Sequence, residues 1–178
     1  MTVSELMKKM IDASEGNLHD INHFVKVWGY AKTIGELEGI PSETQFILEC
    51  AAIMHDIACP LCRRKYGNTN GTYQEKEGMP LGRALLADTD LTDAEKERIV
   101  FLIGHHHTCT DVNGMDYQIL LEADYLVNAD ESAYSAENIE AFRTRVFRTE
   151  SGKRLLDSMY RERLAGRKRL MKERTDAF

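Results

Sequence analysis

The chain has 178 residues, 43% of them hydrophobic, with a net charge of -6. That length supports one domain with a real core, and the composition is that of a soluble protein. No uninterrupted apolar run predicts a bilayer span, and the N-terminus lacks a signal pattern, so a cytoplasmic, membrane-free protein is expected. Four cysteines without an export signal fit a reducing compartment, with no disulfide framework.

Apolar residues recur at helical spacing almost throughout. A first helix is predicted from about Val3 to Ser14. Asn17 can cap a second, with Asp20 in its first turn and Ile21, Phe24, Val25, Trp28, Ala31 and Ile34 on its inner stripe. Gly39 ends it near Glu38. Pro41 and Ser42 open a third, with Ser42 and Gln45 read as a capping box. Its body, Phe46 to Met54, is apolar on almost every face and runs straight into His55-Asp56. Pro60, Gly67, Asn68, Asn70 and Gly71 predict a long functional or mobile loop over 58–73. Helices follow over Glu75–Ala87, from the Thr92/Glu95 capping box to His105, from Tyr117 to about Ala129, over Ala136–Arg148 and over Ser151–Lys172. Basic residues crowd the stretch from Arg143 onward and leave the preceding body acidic. That distribution reads as a solvated helix face, or one packed on the acidic body or a second subunit, rather than as a nucleic-acid surface.

A carboxylate at the end of a buried helix costs several kcal/mol, roughly, unless something pairs with it. Asp56 is one such group, and Asp124 lies inside another apolar run. With His23 at the edge of the second helix's stripe, and His55, they form a set of imidazole and carboxylate donors. Such a set suits one divalent transition ion: Mn, Fe, Co, Ni or Zn.

These residues and their context resemble the HD superfamily of metal-dependent phosphohydrolases. Asp20-Ile21-Asn22-His23-Phe24-Val25-Lys26-Val27 is similar to that family's first motif. Ala51-Ala52-Ile53-Met54-His55-Asp56-Ile57 is similar to its second, and Glu122-Ala123-Asp124-Tyr125-Leu126 to its last. The resemblance spans about residues 17–129. It implies a compact all-α bundle of about seven helices, with a motif-bearing core over about 17–130 and closing helices over 136–172. It also implies His23, His55, Asp56 and Asp124 as metal ligands, and hydrolysis of a phosphate ester or anhydride in a small phosphorylated molecule, often a nucleotide. Two-metal members carry a further His where this chain has Gln74, four residues before Gly78, which argues against a second ion.

The catalytic set expected around the metal is Asp56, Glu77, His105 and His106. Glu75 and Glu77 are water-holding carboxylates or solvated helix residues. Of His105-His106-His107 at least one should meet phosphate or metal, the others serving as helix caps, because adjacent helical side chains diverge by about 100°. His19 shares a face with His23. Arg63, Arg64 and Lys65 are candidate phosphate clamps, with a solvated loop as the plainer reading. Cys59-Pro60-Leu61-Cys62 is half a zinc site or a redox pair at most, and otherwise small buried hydrophobes, with Cys109 a third thiol. An iron-dependent oxygenase and a non-catalytic nucleotide sensor are the alternative functions.

Overall fold

The computed structural model describes residues 1–166. Nine helices succeed one another among them, α1 (Val3–Ala13), α2 (Leu18–Glu38), α3 (Ser42–Met54), α4 (Cys59–Tyr66), α5 (Gly71–Leu86), α6 (Asp93–Ile103), α7 (Met115–Glu131), α8 (Ala136–Arg145) and α9 (Glu150–Met159). No strand occurs among the described residues. With α4, the helices number one more than the eight read from the sequence and two more than the family resemblance implies. A further helical stretch covers 161–166. The predicted end of the last helix at Lys172 lies outside the described residues.

Local signals set several boundaries. The Asn17 side chain accepts from the His19 and Asp20 amides, and Gly39 ends α2 in the left-handed region at φ 67°. Thr92 and Glu95 close a reciprocal capping box on α6. The Ser42–Gln45 box does not form. Pro41 holds the cap position with extended backbone, Ser42 is already helical, and no side chain caps α3. Gln45 turns inward instead and donates to Glu49 at 3.0 Å.

The loop expected over 58–73 is mostly helix. Pro60 sits in the first turn of α4, where a missing N–H costs nothing. Asn70 caps α5 by accepting from Thr72 N. Only the short link 67–70 remains irregular.

α2, α3 and α7 pack on one another and form the centre. α6 lies against α3, α5 against α6, and α4 against α5, while α1 covers α3 and α9 rests on α2 and α7. Leu48, Ala51, Ala52, Ile53 and Met54 of α3 have no exposed surface. Leu120, Ala123 and Leu126 of α7 are as deeply placed. Burying a side chain of this kind contributes roughly 1.5–3 kcal/mol, which is how these two helices can carry charged residues at their ends and centres. Contrary to the sequence expectation, Ser42–Tyr66 is long and apolar enough to cross a membrane by composition, with a mean hydropathy of 1.3. The fold buries 67% of the most apolar 18-residue window within it, so a core helix accounts for it.

The basic C-terminal region, as far as it is described, binds its own chain. Arg143 forks onto Asp157 at 2.6 and 2.8 Å. Arg148 donates to the carbonyls of Thr144, Arg145 and Phe147, and Arg163 to those of Ala129 and Tyr134.

Candidate metal centre

Three packed helices bring the four expected ligands together. His23 Nε2 lies 3.2 Å from both His55 Nε2 and Asp124 Oδ1, and 3.6 Å from Asp56 Oδ2. His55 Nε2 lies 3.5 Å from Asp124 Oδ1 and 3.7 Å from Asp56 Oδ2. His55 is fully buried, and His23 and Asp124 nearly so.

The far nitrogens explain the orientation. His23 Nδ1 donates to Glu131 at 2.8 Å. His55 Nδ1 donates to the Ala52 carbonyl at 2.8 Å, and His106 Nδ1 to that of Ile103 at 2.7 Å. A ring that gives its Nδ1 proton to an oxygen keeps a lone pair on Nε2. Two such lone pairs, on His23 and His55, therefore face carboxylate oxygens at 3.2 to 3.7 Å. Acceptors facing acceptors repel unless a positive charge lies between them. This donor set fits a divalent ion of the N/O-binding type.

The electrostatics agree. Burial disfavours a charged His23, yet its hydrogen bond to Asp124 and the charges of Asp56 and Asp124 outweigh it and carry its pKa up to about 10, so a proton supplies the positive charge there until an ion displaces it. Burial would likewise raise Asp124, but its bonds to His23 and His55 hold it well below the usual carboxylate range. The cluster holds positive charge strongly.

Asp56 is shared. Its Oδ2 faces His23 and His55, and its Oδ1 lies 3.5 Å from His106 Nε2. Asp56, His106 and His107 thus form a second group whose donor atoms converge. Gln74 stands against it: its amide donates to Thr69 O at 2.7 Å, and its Oε1 is 3.3 Å from His106 Nε2 and from His107 Nε2.

Other expected site residues are not brought to the cluster. His105 donates Nδ1 to the Phe101 carbonyl at 2.7 Å and stacks on the Phe101 ring, so it braces the end of α6. Glu77 faces α4, where it accepts from Lys65 at 2.8 Å and Tyr66 at 2.6 Å. Glu75 accepts from His107 N and Thr108 Oγ1, both at 3.0 Å. Arg64 forks onto Glu15 at 2.8 Å, and Lys65 is held by Glu77. Arg63 grips Asp20 with both guanidinium nitrogens. Of the three it alone lines the cavity of about 320 Å³ beside the cluster, with Asp20, His23, Asp56 and Glu131. Cys59 and Cys62 are buried free thiols. Burial, then the nearby Asp56 charge, pushes the Cys59 thiol up, which suits an inert packing group.

Sequence reading missed Glu131 and Asn128. Glu131 orients His23 and is held by Lys26 at 2.6 Å. Asn128 donates to Asp124 Oδ1 at 2.8 Å. Their signal was spacing: both follow Asp124 on the same face of α7, four and seven positions on.

Fold and site define an all-helical protein with a buried His/Asp cluster able to hold a cation. The chain belongs to the HD domain family, whose model matches residues 20–138. A crystal structure of a predicted HD superfamily hydrolase from an uncultured Thermotogales bacterium has a similar fold, with a TM-score of 0.66 and 22% identity. The match covers 96% of this chain and 91% of that one. No curated protein matches the sequence.

Proposed function

We propose that this protein is a metal-dependent phosphohydrolase acting on a small phosphorylated molecule of the nucleotide class. One observation carries the reading: the inward Nε2 lone pairs of His23 and His55 meet the carboxylates of Asp56 and Asp124, with each outward Nδ1 already committed. His23, His55, Asp56 and Asp124 would hold one divalent ion. When bound, such an ion polarises a phosphoryl oxygen and lowers the pKa of water.

The chain's own groups do the rest. Glu131 and the Ala52 carbonyl fix the ligand rings, so little reorganisation is needed on binding. Burial opposes a charge on His106, but the hydrogen bond and charge of Asp56 outweigh it and raise its pKa, so its Nε2 can carry a proton and donate to a phosphoryl oxygen, a contact that strengthens as negative charge develops there. Arg63 supplies the permanent cation among the described residues lining the larger cavity, oriented by Asp20.

Protein purified without added metal should contain one transition ion per chain by elemental analysis. It should release phosphate from at least one member of a nucleotide panel. Asp56→Ala should lose the ion and the activity while its circular dichroism stays helical. Full occupancy in that variant would remove the assignment. The second group around His106 and His107 favours one competing outcome. Oxygen consumption by iron-loaded protein, with no phosphate or pyrophosphate released from any nucleotide, would put an oxygenase in place of the hydrolase.

A further inference from the structure

A second cavity, of about 190 Å³, adjoins the cluster and has Asp124, His106 and His107 in its wall. Its character differs from that of the larger one. No Lys or Arg lines it among the described residues, and Leu121, Tyr125 and Phe142 give it an apolar side. The Tyr125 and Phe142 rings stack at 3.8 Å, only 11° from parallel. Leu121, Asp124, Tyr125 and Asn128 recur at helical spacing and form one face of α7. A substrate whose phosphate lies at the cluster has room for its remainder against Leu121 and Tyr125.

The polar groups of this cavity have a direction. The Tyr125 hydroxyl donates to Asn138 Oδ1 at 2.6 Å. That bond occupies the acceptor of the amide and leaves its NH₂ as a donor with no partner among the described residues. The Tyr134 hydroxyl, in the same wall, also makes no hydrogen bond among them.

We propose that this cavity is the specificity pocket for the substrate's organic group, selecting a flat, uncharged ring that presents a hydrogen-bond acceptor to Asn138. The inference rests on the hydrolase reading of the adjoining cluster. Aromatic walls bury flat rings well, and no lysine or arginine among the described residues draws phosphate past His106 to this side. Asn138 is exposed, so its donor adds direction to ring binding while the apolar wall supplies most of the burial.

The test is calorimetric binding to the metal-loaded full chain, with uridine 5′-monophosphate, ribose 5-phosphate and inorganic phosphate as probes. The nucleotide, whose ring carries carbonyl acceptors, should bind at least tenfold more tightly than ribose 5-phosphate. Asn138→Asp keeps the acceptor for Tyr125 and removes the donor. An acid also suits this position in the first turn of α8, so the variant should fold. It should lose the tenfold preference while its affinities for ribose 5-phosphate and inorganic phosphate stay unchanged. Equal affinity for nucleotide and ribose 5-phosphate in the parent protein would overturn the proposal. So would an equal loss for both ligands in the variant. Ring-dependent binding without turnover of any nucleotide would leave the pocket standing and remove the hydrolase. Phosphate release with no ring preference would do the reverse.

Discussion

Helix capping and metal binding are competing explanations for a histidine at the end of a helix, yet here one hydrogen bond serves both. His55 follows α3, and His106 lies just past α6. Each gives its Nδ1 proton to the carbonyl three residues back, satisfying an orphan helix-end acceptor and freeing Nε2 for the cluster. His105 bonds four residues back and stacks on Phe101, so the same chemistry one position earlier points elsewhere. His106→Ala should therefore cut kcat on the order of a hundredfold while the first ion stays bound. His105→Ala should leave kcat alone and lower the melting temperature. Kinetics combined with metal analysis separates the two, and equal kinetic losses would bring His105 back to the site. Glu131→Gln weakens the acceptor behind His23, and metal affinity should fall roughly 10- to 100-fold by competition with a chelator. Four ligands were legible in the sequence because a charge in an apolar run is conspicuous. Glu131 was not, because an acid at the end of a helix resembles any solvated one.

At the scale of elements, the legible boundaries are those whose signal is local, at Asn17, Gly39 and Thr92. α4 was hidden because its support is tertiary. Arg63, Arg64 and Lys65 lie in its last turn, where cations suit the helix dipole, and each reaches an acid outside α4. Asp20 is on α2, Glu15 follows α1, and Glu77 is on α5. The basic triplet thus clamps three neighbours, and only Arg63 borders the larger cavity. Arg64→Ala and Lys65→Ala should leave KM for the phosphorylated substrate within about twofold, since exposed pairs contribute roughly 0–1 kcal/mol. Arg63→Ala should raise KM and leave metal content unchanged. A rise in KM for all three would restore the phosphate clamp read from the sequence.

Across the whole molecule, helical periodicity and the His, His-Asp and Asp motifs revealed the all-α class and the family. They could not show how the chain's two ends are tied together. Glu38, at the end of α2, accepts from Ser151 N at 2.7 Å at the start of α9. Hydrogen bonding from Ser151 holds its carboxyl below the usual glutamate value. A carboxyl whose pKa is lower in the folded chain stabilises the fold above its unfolded pKa, and that contribution is lost as pH falls through the folded value. Glu38→Gln should accordingly lower the melting temperature at neutral pH and make its decline below about pH 4.5 shallower. An unchanged acid slope would assign the stability of that junction to packing alone.

The cluster sits between two unlike jaws. α7 carries Asp124 among neighbours buried along nearly its whole length, so this side is held by packing. By contrast, α4 is moored by Arg63 to Asp20, Arg64 to Glu15 and Lys65 to Glu77, all charge pairs with partly or largely exposed cations. Dissolved ions leave packed hydrocarbon in place but screen exposed charges over about 8 Å at physiological ionic strength. Rising salt should therefore weaken the hold on α4 and leave α7 in place.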